Sequence, residues 1–195
     1  KMSTREGKVI FLQEVIDKSK ELALKEIEDK NPKLKNKEEI AGKVGISALK
    51  YFILKLEPIR SINFSYEQAL NLEGDTGPYL QYTYARASSI LRKAKIKSSF
   101  KIQKISLIEK EEIEILNKLL EFPEIVKKAS NELKPSLIAN YVYGLAKLFN
   151  EFYQKYPVIK AEKNTSRSRL ALVVAVMQVI KNCLELLGIS VIEEM

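Results

Sequence analysis

The chain has 195 residues, of which 46% are hydrophobic and 30% charged, and its formal charge is +8. Glycine and proline are scarce, which excludes collagen-like and low-complexity architectures, and the absence of histidine removes imidazole catalysis and most transition-metal sites, so we expect no metal. The single cysteine, Cys183, permits no internal disulfide, and the longest apolar run, residues 170–177, is too short to span a bilayer. We therefore expect a cytoplasmic protein with no membrane segment. Its positive charge suits an anionic partner, although a solvated lysine-rich surface would give the same balance.

Apolar residues recur at helical spacing through most of the chain, after a short β-prone run at residues 8–12. Proline, glycine or capping signals bound most of these stretches. The predicted helices cover residues 13–30, 36–56, 65–72, 78–95, 109–121, 124–133, 136–156 and 166–187. The break between the fifth and sixth rests on Pro123, which cannot donate a helical hydrogen bond. The sequence thus predicts an all-α bundle preceded by a short strand and a helical connecting segment.

Four local signals refine these helices. Gly42 and Gly45 indicate either close packing against another backbone or a break near Gly45. Ser65, three residues before Gln68, resembles a capping box, and Pro78 suits the first turn of a helix. Two apolar faces are also predicted, one formed by Ile113, Leu116 and Leu120 and one formed by Tyr141, Leu145 and Leu148.

One helix carries the most informative side chains. Helical spacing places Tyr79, Tyr82, Arg86 and Ile90 on one stripe, beside a plain apolar stripe that begins at Leu80. Two tyrosine rings and a guanidinium near a helix N-terminus suit RNA, because unpaired bases stack on aromatic rings and arginine binds phosphate or base edges. Amphipathic packing of the tyrosines is the alternative at this point.

Basic residues elsewhere are weaker signals. The opening Lys1-Met2-Ser3-Thr4-Arg5 places two cations around two hydroxyls, a composition able to neutralise nucleotide phosphates, but it equally fits a solvated tail. The lysine-rich residues 93–104 could likewise contact a phosphate backbone or remain solvated surface. The sequence neither opens with methionine nor contains a signal peptide, and we read it as a fragment.

Taken in order, several segments resemble the C-terminal part of arginyl-tRNA synthetases, which are class I aminoacyl-tRNA synthetases. Residues 1–7, KMSTREG, are similar to that family's K-M-S-K-S-type signature loop, and residues 73–82, EGDTGPYLQY, resemble its E-G-N-T-x-P-Y-x-Q-Y motif. Further matching segments lie along the rest of the chain, at residues 45–51, 149–153, 156–158, 167–170 and 187–195.

The resemblance implies a helical anticodon-binding domain at residues 61–195, preceded at residues 1–60 by the signature loop and a helical stem-contact segment. By motif position, Tyr79, Tyr82, Arg86 and Met195 would contact the anticodon loop of tRNA-Arg. Within the same resemblance, Lys1, Met2, Ser3 and Arg5 would belong to the catalytic loop that closes over ATP, with Mg²⁺, when arginine is activated in the full enzyme.

The family's nucleotide-binding fold has a histidine-containing signature that this chain lacks. The fragment alone is therefore expected to bind tRNA as a monomer, to hold no cofactor and not to aminoacylate. Asp75 replaces the motif's usual asparagine, and Arg5 stands where the generic loop has a second lysine. The competing hypotheses are a helical protein–protein interaction module and a stand-alone nucleotide-binding enzyme.

Overall fold

The structure is a computed structural model that describes residues 11–57, 64–95 and 105–195. Within these ranges the predicted all-α architecture is confirmed, because the only regular elements there are helices. In chain order they are α1 (Leu12–Lys30), α2 (Lys37–Leu54), α3 (Tyr66–Leu70), α4 (Gly77–Lys93), α5 (Lys110–Glu132), α6 (Pro135–Lys155) and α7 (Lys163–Leu186). The predicted strand at residues 8–12 lies mostly outside the described residues, and Leu12 already belongs to α1.

The first two helices pack against each other through a glycine. A Cβ atom on Gly45 would stand 2.8 Å from the backbone nitrogen of Lys20 and 2.9 Å from the carbonyl carbon of Ser19. Since α2 continues through this position without interruption, close packing, not a break, accounts for Gly45. Gly42 has open space around it and is not explained in this way.

The segment that leads from α3 into α4 is short, and a side-chain cap marks the start of each of these two helices. The Ser65 hydroxyl accepts a hydrogen bond from the Gln68 backbone N–H at 3.4 Å, which is one of the two bonds of the predicted capping box, but α3 ends at Leu70 rather than at residue 72. Gly77 begins α4 directly against α2, where a Cβ atom would lie 2.6 Å from the Ser47 carbonyl oxygen. Pro78 occupies the first turn, as predicted.

The prediction that Pro123 ends a helix is wrong. The single helix α5 runs through it from Lys110 to Glu132. Pro123 is exposed, while Phe122 and Ile125 pack on the core on either side of it. Tertiary packing thus outweighs the local penalty.

The predicted apolar face of α5 is also wrong in part. Ile113 is 42% exposed and Leu120 77% exposed, whereas Ile115 is completely buried. Leu116 does pack against the core, as does Leu119. The helix therefore presents the stripe that contains Ile115 and Leu119 to its neighbours.

The main core lies among α4, α5, α6 and α7. Leu145 is completely buried with Tyr141, and Leu148 packs against them, so this predicted face is confirmed. A second cluster unites α1 and α2 with Ile192 from the end of the chain. Over the ranges described, no helix is long and apolar enough to cross a bilayer.

A buried ion pair links α5 to α7. Glu112 and Arg169 lie 2.6 Å apart with almost no exposed surface, and Arg169 also donates to the carbonyl of Pro157. The second carboxylate oxygen of Glu112 accepts two backbone hydrogen bonds at the start of α5. Because both charges are paired and hydrogen-bonded, the site avoids the cost of an unpaired buried charge.

Candidate nucleic-acid interface

The start of α4 places the first tyrosine of the stripe. The Thr76 hydroxyl accepts a hydrogen bond from the Tyr79 backbone N–H at 3.2 Å and so caps the helix. The same hydroxyl donates to the carbonyl of Asn71, which ties the cap to the preceding loop. Gly74 adopts a φ of +88° in that loop, a conformation that favours glycine. The cap and the loop together fix the start of α4, and with it the position from which the Tyr79 side chain projects.

Asn150, in the C-terminal half of α6, contacts both Tyr79 and Arg86 of the stripe. Its amide nitrogen donates to the Tyr79 hydroxyl and to the Thr83 hydroxyl, each at 2.9 Å, and its amide oxygen accepts from the Arg86 guanidinium. Because the Tyr79 hydroxyl is the acceptor in this contact, it keeps its own hydrogen for another partner. A tyrosine hydroxyl is protonated at neutral pH, and burial raises the pKa of Tyr79 further above its usual value.

Arg86 lies between two aromatic rings. Its guanidinium carbon is 4.8 Å from the centroid of the Tyr82 ring and 5.7 Å from that of Tyr153. Such cation–π contacts hold the planar guanidinium while leaving N–H donors available. Tyr82 is 37% exposed, so α4 presents a partly accessible aromatic residue next to an oriented cation.

All four residues expected to contact the anticodon lie around one cavity of about 1100 Å³. Tyr79, Tyr82 and Arg86 come from α4, and Met195 comes from the end of the chain. Ile90, the last member of the sequence stripe, is instead buried in the main core. The rest of the lining comes from α1, from residues 66–73 and from α6, together with Val44 of α2. Its polar members are Lys25, Glu26, Asn31, Tyr66, Glu67, Asn71, Glu73, Asn150 and Gln154.

The cavity is not a basic pocket. Its lining contains two cations, Lys25 and Arg86, against three carboxylates, Glu26, Glu67 and Glu73. A polyanionic backbone gains little from such a lining, whereas a neutral base can stack on the rings and bond to the amides. The cavity is thus better suited to unpaired bases than to phosphates.

A group of polar side chains, Tyr51, Lys55 and Asp75, supports the loop that precedes α4. The carboxylate of Asp75 accepts a hydrogen bond from the buried Tyr51 hydroxyl at 2.6 Å and forms an ion pair with Lys55 at 3.3 Å. Burial, with the neighbouring Asp75 charge, raises the pKa of Tyr51. Asp75, which departs from the family motif, therefore has protein partners of its own in α2 and at its end.

Part of the predicted site lies outside the described residues. Lys1, Met2, Ser3 and Arg5 all precede residue 11, and most of the lysine-rich residues 93–104 fall in the gap before residue 105. In the described portion of the chain, no group of three or more potential ligands among Cys, Asp and Glu could hold a metal ion.

The sequence prediction missed the part of the cavity lining that does not belong to α4 or to the end of the chain. Asn150 gave a usable signal, because an asparagine inside an apolar helical pattern is unfavourable unless its amide has partners. Lys25 and Asn31 gave none, since they resemble the other polar residues on the surface of α1. Only the packing of α1 against α2 and α3 brings them to the cavity.

Comparisons with known proteins identify the family to which the chain is similar. Residues 80–195 match the model of the DALR anticodon binding domain, and residues 1–66 match that of the class I (R) tRNA synthetase catalytic domain. The whole chain aligns with an arginine–tRNA ligase from Clostridium botulinum at 43% identity, covering 35% of that protein. It also aligns with arginine–tRNA ligase 1 from Bacillus cereus at 46% identity, covering 34% of it.

Solved structures give the same result. The whole chain superposes on Thermus thermophilus arginyl-tRNA synthetase with a TM-score of 0.91 and 35% identity, covering 33% of that chain. For the Plasmodium falciparum arginyl-tRNA synthetase the TM-score is 0.87 and the identity 29%, with 96% of this chain and 34% of the other covered. The resemblance drawn from the motifs is confirmed, and the chain spans about a third of the length of these relatives.

Proposed function

Because the chain belongs to the DALR anticodon-binding domain family, we propose that it binds the anticodon loop of an arginine tRNA through the cavity of α4, α6, α1 and Met195. We assign this binding to residues 61–195, with residues 1–60 as the signature loop and connecting segment. The observation that carries the proposal is the convergence of Tyr79, Tyr82, Arg86 and Met195 on one cavity. Base unstacking in a tRNA loop supplies the flat, neutral partners that this lining suits.

Each residue has a distinct role in this proposal. The exposed ring of Tyr82 stacks on a base, and Arg86, oriented by Asn150 and by the two neighbouring rings, donates to a base edge or to the adjoining phosphate. The Tyr79 hydroxyl donates its free hydrogen to a base acceptor, and Met195 contributes an adaptable apolar wall.

We further propose that a protein containing this chain is a cytoplasmic, monomeric arginine–tRNA ligase. It would use ATP and Mg²⁺ to activate arginine, with Lys1, Met2, Ser3 and Arg5 in the loop that contacts the nucleotide. The match of residues 1–66 to the class I catalytic domain supports this assignment. The chain alone should neither bind ATP saturably nor aminoacylate, and saturable ATP binding in a titration would contradict that expectation.

Competition between RNA fragments tests the binding proposal. A labelled arginine tRNA bound to the chain should be displaced by an isolated anticodon arm and not by an isolated acceptor arm at the same concentration. An anticodon arm with the same stem and a scrambled loop is the matched control and should compete weakly. Displacement by the acceptor arm instead would contradict the proposal.

A further inference from the structure

The last nine residues of the chain, which we call the tail (residues 187–195), are held at several points although they form no helix. Gly188, with a φ of +66°, reverses the chain after α7, and its carbonyl accepts a hydrogen bond from Lys50. Ile189 is 2% exposed in the main core, and Ile192 is 5% exposed in the second cluster. The tail therefore crosses from one cluster to the other and ends at the cavity.

Gln81 binds the tail between these two isoleucines. Its side chain is completely buried on α4, and its amide nitrogen donates to the Ser190 carbonyl oxygen at 2.7 Å. Tyr82, the next residue, faces the cavity. Consecutive residues of α4 thus hold the tail and line the cavity in which it ends.

The buried amide is an unfavourable choice for stability alone. The Gln81 side-chain oxygen is buried and has no hydrogen-bond partner among the residues that the structure describes. An unpaired buried acceptor costs free energy, and an apolar side chain of similar length would avoid that cost. Replacement of Gln81 by an apolar residue would remove this unpaired oxygen and would also cost the Ser190 carbonyl its hydrogen bond. The presence of an amide at residue 81 is therefore better explained by the position in which its hydrogen bond to Ser190 holds the tail.

The ion pair near the end of the chain is a weak contact. Glu194 lies 3.7 Å from Arg92, and the two side chains are 65% and 48% exposed, so solvent screens this pair. Met195 packs as a half-buried member of the second cluster, beyond the buried Ile192. The hydrogen bond at Ser190 and the burial of Ile192 therefore both bear on where Met195 lies.

We propose that Gln81 is a positioning residue, which fixes the tail at Ser190 so that Met195 forms a wall of the RNA-binding cavity. This inference rests on the proposed function, because Met195 matters here as a contact for the RNA. Gln81 itself touches no RNA. Its effect on RNA affinity must therefore depend on the presence of Met195.

A double-mutant cycle on the 195-residue chain tests this dependence. Gln81→Met removes the donor with little change in side-chain volume, and Gln81→Asn retains an amide that is too short to reach Ser190. Each is combined with Met195→Ala, and affinity for a transcribed arginine tRNA is measured. Gln178→Met is the matched control, since that glutamine is exposed on α7 and bonds only to Asn182 among the contacts described.

Either Gln81 variant should weaken tRNA binding about tenfold in the parent chain and less than about twofold in the Met195→Ala background. The thermal midpoint of Gln81→Met should stay near that of the parent, and Gln178→Met should change neither quantity. Unchanged affinity, or an equal loss in both backgrounds, would overturn the inference. Tyr82→Ala separates the two proposals, because only failure of the proposed function would leave that variant at full affinity.

Discussion

Asn150 and Arg86 lie 64 residues apart in the chain and meet through a hydrogen bond from the guanidinium to the side-chain amide oxygen. The same amide donates to Tyr79, so α6 orients two of the residues that α4 presents to the cavity. An asparagine that is 7% exposed in a helix interior is justified by these contacts. The cavity is therefore a preorganised site and not a chance grouping of polar side chains.

Replacement of this amide should release both partners. We expect Asn150→Ala to weaken tRNA binding by about 1–3 kcal/mol, since Arg86 and Tyr79 lose their orientation and the unpaired groups must find water. Titration of the variant with arginine tRNA measures the loss, and circular dichroism verifies its helicity. Asn182→Ala on α7 removes an amide outside the cavity and should leave affinity unchanged. Equal affinity for the Asn150 variant and the parent chain would contradict the role given to Asn150.

Salt dependence separates RNA binding from a protein–protein interaction module. Binding to tRNA should weaken linearly in log salt concentration, with a slope of about −0.7 for each neutralised phosphate of a single strand. Tyr82→Ala should reduce affinity by about 1–3 kcal/mol at every salt concentration, with an unchanged slope, because base stacking carries no charge. An interaction that barely responds to salt would support the interaction module instead.

The core of the bundle gives a prediction about stability alone. Leu145→Ala should lower the free energy of unfolding by about 2–5 kcal/mol, because the side chain is completely buried and leaves a cavity. Leu120→Ala, the same change at a site 77% exposed, should stay within about 0.5 kcal/mol of the parent chain. Chemical denaturation of both variants provides the comparison, and similar losses would contradict the orientation of α5 and α6.

Acid should weaken the contact between α5 and the end of α6. Hydrogen bonds from Lys155 and Tyr156 lower the pKa of Glu111 from 4.5 to about 2. A carboxylate with a lowered folded-state pKa stabilises the protein above its unfolded pKa, and this contribution is lost as pH falls through the folded value.

The unfolding free energy of the parent chain should therefore fall between about pH 4.5 and pH 2. Glu111→Gln should show a shallower fall over that interval, as measured by denaturation at a series of pH values. Glu124→Gln, on the exposed side of the same helix, is the control and should follow the parent chain. Parallel curves for the Glu111 variant and the parent would refute the contact.

Local sequence signals predicted most of the fold. The apolar period located the helices, and Pro78, Asn31-Pro32 and Gly188 marked ends that the structure places within a few residues. The prediction of a helix end at Pro123 was wrong because it used only the local preference of proline. Phe122 and Ile125 keep α5 continuous through contacts with residues that are distant in the sequence. The orientation of α5 was wrong for a similar reason, since an isoleucine at residue 113 or 115 fits a helical period almost equally well.

The grouping of the candidate residues around one cavity could be predicted only where they share one helix or one motif, and their contact with RNA stays a prediction. Tyr79, Tyr82 and Arg86 are spaced along α4, and Met195 was assigned by resemblance to a family. The wall from α1 and the hydrogen bond from Gln81 to Ser190 depend on pairs of residues far apart in the chain. Hydrophobic periodicity along the sequence carries no information about such distant pairs. They can be identified only once the helices are packed in the structure.

The most direct test of the central claim compares two transcribed arginine tRNAs that differ only in the middle anticodon base, the cytosine that arginine anticodons share. The 195-residue chain should bind the tRNA with cytosine more tightly, and Tyr82→Ala should reduce that preference along with the affinity. Discrimination at this base would place anticodon recognition in the cavity. Equal binding of the two tRNAs by the parent chain would contradict it and leave only attraction to the RNA backbone.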